Sequence, residues 1–169
     1  MPFAVTHVLI TIIIIDLFRK LVLKKKNFPL HLVLIGGIAG LLPDIDVAVF
    51  WLLQTFSNVG LEEVHKIFTH SLVIPLIIFI GSQITLKWKK ISQPLLVISA
   101  GYTIHLLLDS IFYLSPLFYP FSSTMLGINL LSRISFDTSV LYMSIDAVIL
   151  VLWLIYEWKA KNIRDYIWK

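Results

Sequence analysis

The chain has 169 residues, 58% of them hydrophobic and 14% charged, with a mean hydropathy of +0.89. Soluble domains carry about 25% charged residues, so this composition excludes a soluble globule and points to a single integral membrane domain over residues 1–169. There is no cysteine, which excludes disulfides and thiolate metal ligands, and the formal charge of +4 sits at the ends of apolar runs, where membrane topology rather than nucleic-acid binding accounts for it.

A bilayer-spanning helix needs about 20 mostly apolar residues. That rule predicts an all-α, polytopic membrane helix bundle of about five spans, at about 3–23, 30–53, 67–86, 93–114 and 139–158. The first span ends in Arg19, Lys20 and the run Lys24 to Lys26; no positive charge precedes its apolar stretch, so it does not read as a cleavable signal peptide. The second contains Gly36, Gly37, Ala39 and Gly40, small residues that allow close helix approach, and is broken by Pro43. A local turn there lets Asp44 and Asp46 converge, whereas two residues apart on a straight helix they diverge.

A polar loop with Glu62 and Glu63 leads to His65, Lys66, Thr69, His70 and Ser71, which open the third span. The fourth carries Gly101-Tyr-Thr-Ile-His105-Leu-Leu-Leu-Asp109, whose four-residue spacing stacks histidine and aspartate on one helical face. A loop from Ser115 to about Thr138 holds Arg133 and Asp137; the fifth span follows, with Trp153, Tyr156, Trp158 and Tyr166 suited to an interfacial belt.

All but Lys66 and Arg133 of the 14 lysines and arginines follow span one, separate spans three and four, or follow span five. With alternating spans these clusters share one side, the cytoplasm by the positive-inside rule, with the N-terminus outside and the C-terminus inside. Counting from the clusters at about 1.5 Å per residue places His7, Asp44, His70, His105 and Asp109 in one layer, roughly 22–29 Å from the cytoplasmic boundary.

Ionisable groups at that depth cost roughly 2.5–3.5 kcal/mol each unless paired, hydrated or bound to a cation. The expected ligands are therefore His7, Asp44, Asp46, His70, His105 and Asp109, with His65 assisting proton transfer. This set exceeds the usual three protein ligands of one catalytic zinc. It favours two divalent ions, or one ion with a general base and outer hydrogen-bonding partners, with Zn first and Mn or Fe as alternatives. Plainer readings exist for several of these: a helix-fastening pair for His105 and Asp109, capping of the helix after Pro43 for Asp44 or Asp46, and an interfacial histidine for His7.

His31 lies at the basic end of span two and reads as structural. Asp16 is expected to hydrogen-bond a neighbouring helix, Asp146 to reach the lower edge of the cluster, and Arg133 to be solvated unless it meets an anionic group.

Thr6-His7, Gly40-Leu-Leu-Pro-Asp44-Ile-Asp46, His65 with Thr69-His70-Ser71, and Gly101-Tyr with His105 and Asp109 together resemble the YdjM-like family over about residues 1–125. These are small inner-membrane proteins described as metal-dependent hydrolases. The resemblance implies that His7, Asp44, Asp46, His65, His70, His105 and Asp109 belong to one site. One departure is Lys66, where the family usually has arginine; lysine lacks the bidentate fork.

The expected function is metal-dependent hydrolysis, with Asp46 bridging two ions and a lipid or lipid-linked phosphoester as substrate, since the site would open at headgroup level near the extracytoplasmic face. The rivals are a metal transporter or sensor, and a structural protein with a polar clamp.

Overall fold

The computed structural model describes residues 4–23, 28–58, 60–61, 65, 68–133 and 138–159, with the side chains of 138–143 left aside. Lys24 to Lys26, Glu62, Glu63, Lys66, Asp137, Lys161, Arg164, Tyr166 and Lys169 lie outside the described residues. Among the described residues every element is helical: α1 (Ala4–Leu21), α2 (Leu30–Ala39), a 3-10 turn (Leu42–Asp44), α3 (Ile45–Gln54), α4 (Val73–Ile84), α5 (Lys89–Phe112), a second 3-10 turn (Leu130–Arg133) and α6 (Thr138–Lys159).

The break in the second apolar run begins at Gly40. Pro43 then occupies the 3-10 turn, where its missing N–H would have no helical acceptor. The third helix is shorter than the expected span 67–86. Thr69 and His70 are held in a turn by inward side-chain contacts, Leu72 N donates to the Leu117 carbonyl at 2.9 Å, and Ser71 Oγ accepts from Val73 N at 3.2 Å. Only after Ser71 does the chain enter α4, with Pro75 in the first turn. α5 starts four residues earlier than expected, and α6 matches its expected span within one residue at each end.

Two apolar stretches are long enough to cross a membrane among the described residues: Leu30–Gln54, running through the break, and Lys89–Phe112. α1 has the length but carries Asp16, Arg19 and Lys20, and α4 has only 12 residues.

α5 is the central helix and packs on α1, α2 and α4, while α6 packs on α1. Glycine sets the tightest crossing: a Cβ on Gly101 would lie 2.1 Å from the Gly36 carbonyl oxygen, so α2 and α5 touch backbone to backbone. The burial pattern is inverted relative to a soluble protein. Thr6, His7, Thr11, Asp16, Asp46, His70, His105 and Asp109 are buried, while Leu17, Phe18, Trp51, Leu76, Ile77, Ile80, Leu107, Val151 and Leu152 face outward. So large an apolar exterior needs an apolar surrounding.

Candidate metal centre

The start of α1, the break after α2, the turn before α4 and the later part of α5 meet at one end of the bundle, bringing His7, Asp44, Asp46, His65, His70, His105 and Asp109 together. His31 is exposed at the other end of α2.

The orientation of each histidine follows from its second nitrogen. His105 Nδ1 lies 2.6 Å from the Gly40 carbonyl oxygen, which can only accept, so Nδ1 carries the proton. In the neutral ring the Nε2 lone pair then faces Asp44 Oδ1 at 3.4 Å; this nitrogen is fully buried and makes no hydrogen bond among the described residues. Thr69 Oγ1 donates to Asp46 Oδ2 at 2.6 Å and sits 3.0 Å from His70 Nδ1. With its one proton committed to the carboxylate, the hydroxyl accepts from His70 Nδ1, which turns His70 Nε2 toward Asp109 Oδ2 at 3.3 Å and Asp44 Oδ1 at 3.5 Å. His7 Nε2 faces Asp109 Oδ1 at 3.3 Å.

These residues pass a test of fit to a divalent cation. A charge-assisted N–H···O bond is about 2.7–2.9 Å long, shorter than the 3.3–3.5 Å seen here. Two ligands on a tetrahedral cation with bonds of about 2.0–2.2 Å stand about 3.3–3.6 Å apart. The nitrogen-to-oxygen spacings are those of ligands around a cation.

The ligand atoms form two groups, His7 with His105 and Asp109, and Asp44 with His65 and His70, each within 4.8 Å. The carboxylates facing both groups are Asp44 and Asp109. Asp46, expected to bridge two ions, is placed beside them: Oδ1 is 3.0 Å from His65 Nδ1 and Oδ2 accepts from Thr69. Nor is Asp44 used as a cap. Asp44 precedes α3 with φ −82° and ψ 4°, away from the extended conformation of a capping residue, and makes no cap hydrogen bond.

Sequence reasoning passed over three supports. Thr69 relays His70 to Asp46, Tyr102 OH donates to the Thr69 carbonyl at 2.5 Å, and the Gly40 carbonyl orients His105. All three lie within the quoted motifs, which is the signal that could have found them.

Asp16 differs from its expected role. Its carboxylate pairs within α1, with Arg19 Nε at 2.8 Å and with Lys20 Nζ, and it is Lys20 that reaches α6, donating to Tyr156 OH at 2.6 Å. Asp146 accepts from Thr6 N at 2.8 Å and from Thr6 Oγ1, beside His7. Arg133 is exposed.

Above the centre lies a pocket of about 700 Å³. His7, Asp44, His65 and Asp109 line it together with Val47, Phe50, Trp51, Leu61 and Leu114, so its walls are largely apolar.

The helical described residues, the apolar exterior and the buried cluster of histidine and aspartate fit a membrane-seated protein better than a soluble enzyme. The chain matches the family described as YdjM inner membrane protein over residues 1–168, and it belongs to that family. The match extends beyond the 1–125 over which the motifs lie, to include α6. No curated protein and no solved structure matches it.

Proposed function

We propose that the protein is a membrane-bound, metal-dependent hydrolase acting on a lipid or lipid-linked phosphoester. The reading includes five membrane-crossing segments, an N-terminus outside the cytoplasm, a cytoplasmic C-terminus and a centre near the extracytoplasmic face. The observation that carries it is the buried His105 Nε2, a lone pair aimed at Asp44 Oδ1 from 3.4 Å. Two acceptors face each other in a low-dielectric interior, an arrangement that a cation between them stabilises.

In this reading His7, His105 and Asp109 would hold one ion, and Asp44 and His70 the other, with Asp44 and Asp109 facing both and His65, beside the second group, left for proton transfer. When bound, such a pair supplies a more acidic water and charge neutralisation at a phosphoryl group. Asp46 orients His65 through Nδ1 and His70 through Thr69, in the manner of outer carboxylates that fix ligand tautomers. His65, with a side chain 15% exposed at the pocket, is placed to exchange protons there. The apolar pocket walls favour a substrate with an acyl or isoprenoid tail.

A transporter needs a polar path onward to the cytoplasmic half; Asp16, the acid in that direction on α1, is already neutralised by Arg19 and Lys20.

The test is metal content per chain by plasma mass spectrometry on detergent-purified protein. One or two equivalents of Zn or Mn in the wild type, lost in both His105→Ala and Asp44→Ala, is the expected result. Folded wild type that stays metal-free after reloading with Zn or Mn overturns the proposal.

A further inference from the structure

Three polar residues line the pocket besides the His and Asp cluster: Gln54 from α3, Tyr113 after α5, and Asn129 from the loop that follows. No lysine or arginine is among the described lining residues. An anionic substrate therefore has its charge met at the metal centre, and whatever projects beyond it meets neutral carboxamides.

Asn129 is held firmly. Its backbone has φ 52°, the left-handed conformation that asparagine tolerates better than most residues. Its carbonyl accepts from Ser132 N at 3.2 Å and Ser132 Oγ at 2.8 Å, and the preceding Ile128 N donates to the Ser110 carbonyl at 2.7 Å. Just before it, Gly127 packs so closely that a Cβ would lie 2.1 Å from the Tyr113 carbonyl oxygen. Among the described residues neither the Asn129 carboxamide nor the Gln54 carboxamide makes a hydrogen bond.

We infer that Asn129 and Gln54 form a recognition site for a neutral, hydroxyl-bearing headgroup, a glycerol or sugar, carried on the lipid phosphoester. The inference rests on the hydrolase reading for the phosphoester, and on the pocket alone for the headgroup. A carboxamide both donates and accepts, so it pairs with a hydroxyl whichever way the hydroxyl points. A phosphate monoester such as phosphatidic acid carries no alcohol hydroxyl for these residues to pair with, and an ammonium headgroup loses to hydroxyls because carboxamides carry no charge to balance it.

The experiment is isothermal titration of the full chain in detergent, metal-stripped and Zn-loaded. The probes are the dioctanoyl forms of phosphatidylglycerol, phosphatidic acid and phosphatidylethanolamine, and the variants are Asn129→Gly and Gln54→Ala. Glycine adopts the backbone of residue 129 without strain, and residue 54 is exposed, so both variants are expected to fold and to keep the wild-type metal content. Wild type is expected to bind phosphatidylglycerol about tenfold more tightly than either rival, as one or two net hydrogen bonds provide. In each variant that preference should shrink severalfold. Equal binding of the three lipids by wild type, or a preference unchanged in both variants, overturns the inference. A glycerol preference in protein that takes up no metal supports the headgroup site while removing the hydrolase reading.

Discussion

The proton on His105 Nδ1 is fixed by a backbone carbonyl, and the proton on His70 Nδ1 by a threonine hydroxyl. These two bonds decide which nitrogens can serve as ligands, and only the second can be altered by substitution. Thr69→Val keeps the shape of the side chain but breaks the relay from His70 to Asp46. Metal affinity is expected to fall by about 10- to 100-fold, measured by competition with a chromogenic chelator, while Thr69→Ser stays near wild type. Tyr102→Phe removes the donor to the Thr69 carbonyl. A loss of about 1 kcal/mol is expected, read as a lower thermal unfolding midpoint.

The elements deliver their ligands through backbone contact. α2 and α5 approach so closely at Gly36 and Gly101 that the Gly40 carbonyl reaches His105 one turn further along. Gly101→Ala places a Cβ 2.1 Å from the Gly36 carbonyl oxygen. It should force the helices apart at about 1–3 kcal/mol and lower the metal stoichiometry, with thermal unfolding and metal analysis on the same preparation as the check. The break between α2 and α3 is as consequential. Because Asp44 closes a 3-10 turn and Asp46 follows in the first turn of α3, rather than both lying on one straight helix, their carboxylates approach the two nitrogens of His70, at 3.5 Å from Nε2 and 3.7 Å from Nδ1.

For the whole molecule the proposed orientation has a direct check, because the chain lacks cysteine. Single cysteines at Ser123, in the loop beside the centre, and at Lys87, between α4 and α5, lie at opposite ends of the bundle. In intact cells a membrane-impermeant maleimide is expected to label Ser123→Cys at once and Lys87→Cys only after lysis. The reverse pattern would invert the assigned topology.

Composition alone marks a membrane protein, because burial of apolar groups inside so small a chain cannot absorb a 58% hydrophobic content. Residue spacing and the basic clusters then bring His7, Asp44, His70, His105 and Asp109 to one depth, since helical rise is the same in every span. What spacing could not decide was lateral and angular: where the third helix begins, that Asp46 lies beside the cluster while Asp44 and Asp109 face both halves of it, and that Asp16 turns to Arg19 and Lys20. Nor did any motif mark Asn129, which lines the pocket from a loop distant in sequence from Asp44. Depth is a property of one helix and its sequence, whereas direction depends on neighbours that only the folded bundle supplies.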